Sequence, residues 1–319
     1  MRLASFKTDE GRHRTIGAFV QDRYVDLNAL SNGDLPDNML EFLQLGTPGM
    51  DRARAALARL KLEQGALEKL RNAAGRRLAW RESEIELLAP VPRPGKIMHT
   101  SCNFDSHLKE LTTWKAPEWQ SHNWSDFHFV HPTGFLEAPS SVVASGASVA
   151  VPHFTQQLDY EIEIGIIIGK RAFRVPAEKA MEYVAGYTIF NDLSARDIQA
   201  REHSNMVILL GKSFDGSCPF GPHLVTVDEL SNPHNLEMKL RVNGELRQDA
   251  NTSQMHYKTA ELVAWWSNTT LEPGDIITSG SPPGVAAGMA VPNWLKPGDE
   301  IAATVAELGT LTTHIVAGD

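Results

Sequence analysis

The amino-acid sequence predicts an α+β fold that is mainly β, with a small N-terminal α/β domain over residues 1–90 and a larger domain over residues 91–319. Short segments of strand-like alternation recur along the chain, whereas a long helical pattern is confined to one stretch. Between the two predicted domains, the segment Ala89–Gly95 holds three prolines and is typical of a linker or domain boundary.

The N-terminal domain is predicted to combine strands with one helix. Ile16–Val20 and Tyr24–Leu27 alternate like short strands. From Asp51 to Leu78, leucines recur at helical intervals, with Gly65 as a weak point, so this stretch is predicted to be helical. We interpret its arginines and lysines as a solvated helix face rather than an anion site.

The larger domain is predicted to be rich in strands. Leu236–Val242 alternates between apolar and polar residues, and Asn243-Gly244 then supplies the type I′ turn of a hairpin. A short helix capped by its first residue is predicted over Thr259–Asn268. A turn then leads into a strand at Ile276–Thr278.

Composition restricts the class of function. The net charge of −9 over 319 residues argues against nucleic-acid binding, which requires a concentrated basic surface. No apolar run reaches the length of a membrane span, and no signal-peptide pattern is present. The two cysteines, Cys102 and Cys218, fit no metal or redox spacing, so a reducing, cytoplasmic location is expected.

An acidic strand is predicted over Leu158–Ile168. Side chains alternate along a strand, so Asp159, Glu161 and Glu163 would share one face. Three buried like charges repel each other and lose solvation, and a divalent cation with oxygen ligands is the simplest compensation. The alternative is an acidic, solvent-facing strip on an edge strand.

A second polar cluster lies within Gly186–Gln199, which begins as a strand and ends as a turn or helix start. Asp192 falls at the end of the strand, where it could meet the acidic strand. Arg196 and Gln199 would face the same way on one helical turn and could donate to a developing oxyanion. Alternatively, Arg196 could form an ordinary surface pair with a neighbouring acid.

Five ordered motifs resemble the fumarylacetoacetate hydrolase family, from about Pro92 to the C-terminus. They are Asp159–Glu163, Asn191–Asp197, Gly211–Asp215 with Cys218–Pro222, Val242–Asp249 and Leu271–Pro282. The resemblance implies the mixed β-sandwich roll of this family. It favours the three-carboxylate subfamily of acylpyruvate hydrolases and oxaloacetate decarboxylase-like enzymes, because the position of a fourth metal carboxylate is occupied here by Thr100.

The resemblance also implies the ligands and catalytic groups. Mg²⁺ or Mn²⁺, with Ca²⁺ as a further option, would be bound by Glu161, Glu163 and Asp192, with Asp159 as a neighbour. Donors to the oxyanion would be Arg196, Gln199 and Lys212. Asn103 and Ser281 are predicted to bind substrate.

A lid is expected over about residues 103–130. Its Asn103–Glu110 segment resembles the family's lid, in which a His and a Glu act as a dyad, here His107 and Glu110. Without the resemblance, the two residues would be an ordinary exposed pair on a helix. The following aromatic residues, Trp114, Trp119, Trp124 and Phe127, are predicted either to shape a pocket for an apolar substrate or to line a dimer interface.

The resemblance implies a homodimer that hydrolyses a carbon–carbon bond in a small 1,3-diketo acid such as an acylpyruvate, with the degradation of an aromatic ring-cleavage product or of a deoxy-sugar acid as its setting, and the composition predicts a cytoplasmic location. The metal would stabilise an enolate, and His107 would activate water. A decarboxylase or an isomerase or tautomerase of an oxo acid at the same metal site is the alternative. A catalytically inert binding protein is a third hypothesis, and the intact set of metal ligands speaks against it.

Overall fold

A computed structural model describes residues 1–8, 11–60, 65–114, 119 and 130–318, with residues 11–13 described by their backbone alone. The fold is α+β and mainly β, as predicted from the sequence. None of the helices described is long and apolar enough to cross a membrane.

The strands are β1 Arg2–Thr8, β2 Gly11–Val20, β3 Arg23–Asp26, β4 Ala79–Trp80, β5 Ile85–Leu88, β6 Ile97–Thr100, β7 Gly134–Glu137, β8 Val142–Val143, β9 Ala147–Ala150, β10 Leu158–Asp159, β11 Ile162–Ile168, β12 Val184–Asn191, β13 Ser194–Ala195, β14 Cys218–Thr226, β15 Glu237–Val242, β16 Glu245–Asn251, β17 Ile276–Thr278, β18 Glu300–Val305 and β19 Gly309–Val316. The helices are α1 Leu27–Leu30, α2 Met39–Gln44, α3 Gly46–Ala58, α4 Asp105–Leu111, α5 Ala177–Ala180, α6 Arg196–His203 and α7 Thr259–Trp266.

A long mixed sheet forms the centre of the molecule. Its strand order is β4-β3-β2-β1-β14-β12-β11-β17-β6-β7, with β5 paired to β1 and β8 paired to β14. The N-terminal strands join it through the antiparallel pair β1–β14, in which Leu3 lies opposite Leu224. The sheet therefore continues across residue 90, and the division of the chain into two domains at that point stays a prediction.

A smaller sheet has the order β16-β15-β18-β19-β9. On β15, Met238, Leu240 and Val242 are buried and the residues between them are more exposed, as the alternation predicts. The β15–β16 hairpin turns at Asn243 and Gly244, whose φ angles of 51° and 80° are those of a type I′ turn. The buried side of β15 shares one hydrophobic core with isoleucines of β11, so the two sheets pack together.

The helix predicted over Asp51–Leu78 is wrong beyond Ala58, where α3 ends. Residues 61–64 lie outside the described residues, and the chain from Gly65 onward forms turns. Gly65 has a φ of 76°, outside the helical region. The Asn72 side chain accepts bonds from two backbone N–H groups further along, at 3.0 Å each, which favours a loop. Leu67 is buried in a small apolar cluster, so the spacing of the leucines in this stretch reflects the packing of a loop rather than a helix.

The cap predicted for the helix near residue 260 is also wrong, although the helix itself is confirmed. Thr259 is the first residue inside α7 and is buried, and Lys258 occupies the N-cap position. The backbone N–H of Lys258 donates to the Glu261 carboxylate at 2.8 Å. The Glu261 carboxylate in the first turn, rather than the Thr259 hydroxyl, thus makes the side-chain hydrogen bond at the start of the helix.

Candidate active site

The predicted acidic strand is two strands rather than one. Leu158 and Asp159 pair with β13, whereas β11 begins at Ile162 and pairs with β12 and β17. At the break, the backbone N–H of Glu161 donates to the Asn191 side chain at 2.9 Å instead of continuing a strand ladder. The break gives Asp159 different surroundings from Glu161 and Glu163, because it accepts bonds from the backbone of the loop near Ala286.

The three predicted metal ligands are nonetheless close together and buried. Glu161, Glu163 and Asp192 are at most 4% exposed, which rules out the alternative of a solvent-facing acidic strip. Lys212 bridges two of them, since its ammonium donates to Glu161 Oε2 at 2.6 Å and also contacts Asp192 Oδ2. Glu161 and Glu163 lie at a cavity of about 220 Å³.

The charge state of this cluster follows from its neighbours. Burial raises the pKa of Glu163. Burial would also raise the pKa of Asp192, but Lys212 and His99 outweigh it and hold this pKa well below its usual range. Burial opposes the charged form of Lys212 too, yet Asp192 and Glu161 raise its pKa, so the residue is a cationic donor rather than a base.

His99 is a site residue that the sequence analysis missed. Its Nε2 lies 3.1 Å from Glu163 Oε1 and 2.9 Å from Asp192 Oδ2. One ligand atom from each of these three residues lies within 4.8 Å of the others. The sequence did hold a signal, a histidine inside the apolar strand Ile97–Thr100. Thr100, the position compared with a fourth metal carboxylate, instead accepts a bond from the Trp266 indole at 3.2 Å.

Arg196 is held by three side chains at the start of α6. Its Nε donates to Asp159 at 2.9 Å, one terminal nitrogen donates to Glu161 at 2.7 Å, and the other donates to Gln199 Oε1 at 3.0 Å. Burial would lower the pKa of Arg196, but the two carboxylates raise it. Arg196 therefore lies inside the cluster, and the alternative of an ordinary surface pair is wrong. Its guanidinium also lies over the Trp114 ring, 5.0 Å from the centroid.

His107 and Glu110 are in contact, as predicted. His107 Nδ1 lies 2.8 Å from Glu110 Oε2, and the other oxygen of Glu110 accepts the Gly284 N–H at 2.8 Å. His107 is 5% exposed, so the alternative of an exposed surface pair is wrong. Its Nε2 lies 3.7 Å from Glu161 Oε1, at the cavity. The catalytic role of this dyad stays a prediction.

The two predicted substrate-binding residues have different surroundings. Ser281 lines the cavity, where its hydroxyl accepts from Gln248 and donates to the Pro282 carbonyl, both at 3.1 Å. The Asn103 amide instead joins two loops, because it donates to the carbonyls of Tyr257 and Ser279 and accepts from the Tyr257 N–H. These bonds make Asn103 a poor candidate for direct substrate contact.

Part of the predicted lid forms one wall of the cavity. Its first segment is α4, and Trp114 and Trp119 beyond it pack edge to face with ring centroids 4.9 Å apart. Both indoles line the cavity, which agrees with the predicted apolar pocket. Trp124 and Phe127 lie outside the described residues, and a dimer interface in this segment stays a prediction.

Comparisons with known proteins agree with this architecture. A family model described as "Fumarylacetoacetate (FAA) hydrolase C-terminal" matches residues 96–316. The mitochondrial oxaloacetate tautomerase fahd2 of Xenopus laevis is 37% identical, over 99% of this chain and 90% of the relative.

Two solved structures extend the comparison. The maleylpyruvate hydrolase of Sphingobium sp. SYK-6, solved with manganese(II) and pyruvate, superposes with a TM-score of 0.74 and 27% identity over 100% of both chains. The 2-hydroxyhepta-2,4-diene-1,7-dioate isomerase of Mycobacterium marinum has a TM-score of 0.70 and 26% identity, over 99% of this chain and 98% of that chain. Hydrolases, isomerases and tautomerases thus share this fold.

Proposed function

The chain belongs to the fumarylacetoacetate hydrolase family, and from this premise we propose that it is a metal-dependent hydrolase that cleaves a carbon–carbon bond in a small 1,3-diketo acid of the acylpyruvate kind. The observation that carries the proposal is the convergence of the buried acids Glu161 and Glu163 with the buried His107, which is held by the part-buried Glu110, at one cavity. The cation and the catalytic roles below are part of this proposal.

Buried acids outnumber buried Arg and Lys side chains by two among the residues predicted to form the site. The acids are Asp159, Glu161, Glu163 and Asp192, and the cations are Arg196 and Lys212. A buried charge that is not compensated costs several kcal/mol, on the order of 3–5 when one partner is removed. One divalent cation bound at this cluster would compensate this excess of two carboxylates.

Oxygens of Glu163 and Asp192 are available to such an ion, whereas both Glu161 oxygens also accept from Arg196 and Lys212. Oxygen ligands suit Mg²⁺, Mn²⁺ and Ca²⁺, and we propose Glu161, Glu163 and Asp192 as the carboxylate ligands. Glu163 Oε1 and Asp192 Oδ1 are buried and make no hydrogen bond to any described group. When bound, the ion would supply Lewis-acid chemistry, polarising a substrate carbonyl and favouring the enolate that leaves on bond cleavage.

His107 is proposed as the general base. With its Nδ1–H donated to Glu110, its Nε2 is free to take a proton from a water molecule in the cavity. The oxygen of that water adds to the distal carbonyl carbon, the carbon–carbon bond breaks, and the proton held by His107 passes to the enolate carbon. Glu110 orients the ring, and its own position depends on the Gly284 N–H.

Arg196, Lys212 and Gln199 are proposed to stabilise the tetrahedral oxyanion. All three line the cavity, and neighbouring carboxylates raise the pKa of both cationic side chains against the effect of burial: Glu161 and Asp159 for Arg196, and Asp192 and Glu161 for Lys212. Because Gln199 Oε1 already accepts from Arg196, its amide N–H₂ is the group left to donate. Each donor would contribute about 2–4 kcal/mol to the transition state.

A product assay tests the proposal. Purified protein incubated with Mn²⁺ and acetylpyruvate should yield acetate and pyruvate in equal amounts, and removal of the ion with a chelator should stop the reaction. If acylpyruvates remain intact while oxaloacetate is enolised, isomerised or decarboxylated, the hydrolase assignment is wrong.

A second candidate is an oxaloacetate tautomerase, which is favoured by the 37% identity to the Xenopus laevis tautomerase over 99% of this chain. Tautomerisation needs the enolate and a proton carrier but no attacking water. The ultraviolet absorbance of enol oxaloacetate would reveal this activity directly. A His107 variant with full tautomerase activity would show that tautomerisation does not use the base proposed for hydrolysis.

The setting of the reaction also stays a proposal. A small diketo or oxo acid is the expected partner, and a homodimer, a cytoplasmic location and a role in aromatic catabolism are carried over as predictions. The Xenopus laevis relative is named as mitochondrial, which is a property of that protein.

A further inference from the structure

We propose that His99 is a nitrogen ligand of the divalent cation, and that it gives the site a preference for first-row transition ions such as Mn²⁺ over Mg²⁺ and Ca²⁺. The inference rests on the proposed function in one respect, since it requires that Glu163 and Asp192 bind the ion. It goes beyond the proposed ligand set, which contains carboxylates alone.

The distances around the imidazole are those of a ligand set. His99 Nε2 lies 3.1 Å from Glu163 Oε1 and 2.9 Å from Asp192 Oδ2. Neighbouring ligands of an octahedral ion at about 2.1 Å from each donor are about 3 Å apart. The distances from His99 Nε2 to the two carboxylate oxygens therefore match those between neighbouring ligands of one ion.

The hydrogen bonding of His99 also points to an ion. The His99 side chain is 3% exposed, and its Nδ1 makes no hydrogen bond to any group in the described part of the chain, while its Nε2 lies at ion-pair distance from Glu163 and Asp192. Asp192 Oδ1 is likewise buried without a donor. Buried polar atoms without partners are rare and call for a specific explanation. A cation bound between His99 Nε2 and the two carboxylates would be a common partner for all three side chains.

The strand pair holds the imidazole in this orientation. His99 on β6 lies opposite Phe135 on β7, and their rings stack with centroids 4.5 Å apart and planes 20° apart. Glu163 is fixed from the other side, because its Oε2 accepts the Gly280 N–H at 2.9 Å. A preorganised nitrogen donor beside two carboxylates costs little reorganisation on binding.

The chemistry of imidazole supplies the selectivity. Mg²⁺ and Ca²⁺ prefer oxygen ligands, whereas imidazole nitrogen binds first-row transition ions well. Replacing one oxygen ligand or water by His99 should therefore raise the affinity for Mn²⁺ more than the affinity for Mg²⁺. We expect the wild-type protein to bind Mn²⁺ at least about tenfold more tightly than Mg²⁺.

The test uses Mn²⁺ itself as the probe, in the full-length protein. Pulsed electron paramagnetic resonance should detect coupling between bound Mn²⁺ and a ¹⁴N nucleus in the wild type. The coupling should persist in a His107→Ala/His203→Ala double variant, which removes the other cavity histidines, and disappear in His99→Ala. Calorimetry should show that His99→Asp still binds Mn²⁺ but loses the preference over Mg²⁺. His314→Ala, which removes a half-exposed histidine of β19, is the control and should leave both measurements unchanged.

The outcomes separate the inference from the proposed function. If the wild type binds Mn²⁺ without nitrogen coupling, the inference is overturned and the carboxylate site stands. If neither Mn²⁺ nor Mg²⁺ binds, the proposed function falls together with the inference. Should His99→Ala fail to fold, the spectra of the wild type and of the double variant still decide, because the histidines that line the cavity in the described part of the chain are His99, His107 and His203, and an imidazole coupling that survives the loss of the last two points to His99.

Discussion

Arg196 shows how a single side chain organises the site. It is 2% exposed and pairs with two acids, Asp159 at the end of β10 and Glu161 in the break before β11. Since both partners are buried, the ion pairs are not weakened by solvent as surface pairs are. The same guanidinium is proposed to stabilise the substrate oxyanion, so it contributes both to stability and to the proposed chemistry.

Replacing this guanidinium should destabilise the protein strongly. Arg196→Met leaves Asp159 without a cation and Glu161 with Lys212 alone, and we expect a loss of about 3–5 kcal/mol in the free energy of unfolding, measured by urea denaturation. Arg171→Met is the matched control, because Arg171 is 64% exposed in its pair with Glu272 and should cost about 0.5 kcal/mol or less. Equal losses in the two variants would show that the buried pairs contribute no more than a surface pair.

Glu110 acts through His107 and is a positioning residue. Glu110→Gln keeps an acceptor for the Gly284 N–H but removes the charge that orients and stabilises the imidazole. We expect kcat for an acylpyruvate to fall about 10–100-fold while KM changes little. Steady-state kinetics measures kcat and KM separately. The control is Glu245→Gln, at an exposed position, which should change neither parameter. An unchanged kcat in Glu110→Gln would remove the dyad from the mechanism.

At the scale of elements, two antiparallel strand pairs place the site. The β11–β12 pair brings Glu163 and Asp192 near each other, and the β6–β7 pair carries His99 to them. The β6–β7 pair, at the end of the strand order, is tightly packed near the site. A Cβ added at Gly134 would lie 1.8 Å from the His99 carbonyl oxygen, which is a backbone atom. Only glycine allows the two strands to approach this closely.

Gly134→Ala should therefore separate β6 from β7. Because the backbone must move, we expect a loss of about 1–3 kcal/mol in the free energy of unfolding and faster hydrogen exchange in Ile97–Thr100. The control is Leu136→Ala on the same strand, where the side chain is 56% exposed and little effect is expected. Unchanged exchange in β6 would contradict the close approach seen between the strands.

At the scale of the whole molecule, the N-terminal strands and the central sheet meet at a buried histidine. His223 on β14 stacks on Phe19 and Tyr24, and its Nε2 lies 3.0 Å from the Tyr24 hydroxyl. Burial, with a further contribution from Arg2, lowers the pKa of His223 from 6.5 to about 4. The imidazole is therefore neutral in the folded protein at neutral pH.

This histidine should make stability depend on pH. Below pH 6.5 the unfolded chain binds a proton that the folded protein does not bind until about pH 4, so stability falls as the pH is lowered through this window. Between pH 7 and pH 5 the wild type should lose about 2 kcal/mol more than His223→Gln. Urea denaturation at the two pH values measures the difference. Parallel losses would show that His223 is not the titrating group.

Features set by neighbouring residues could be predicted from the sequence. The β15–β16 hairpin follows from alternation and from the Asn243-Gly244 turn, and the His107–Glu110 contact follows from their spacing on one helix. The carboxylates Glu161, Glu163 and Asp192 could be selected because their motifs resemble a known family. The early end of α3 could not be predicted, since the leucines of a packed loop are spaced like those of a helix.

The sequence by itself determined the mainly β class, the local turns and the acidic character of the site, because short-range backbone preferences and side-chain alternation decide these. Only the tertiary structure decided that His99 lies beside Glu163 and Asp192 and that Asp159 belongs to a different strand pair. It also joined the N-terminal strands to the central sheet through β1 and β14. Contacts of this kind depend on how distant segments pack, and the packing energy is shared among many residues rather than encoded in any one local pattern.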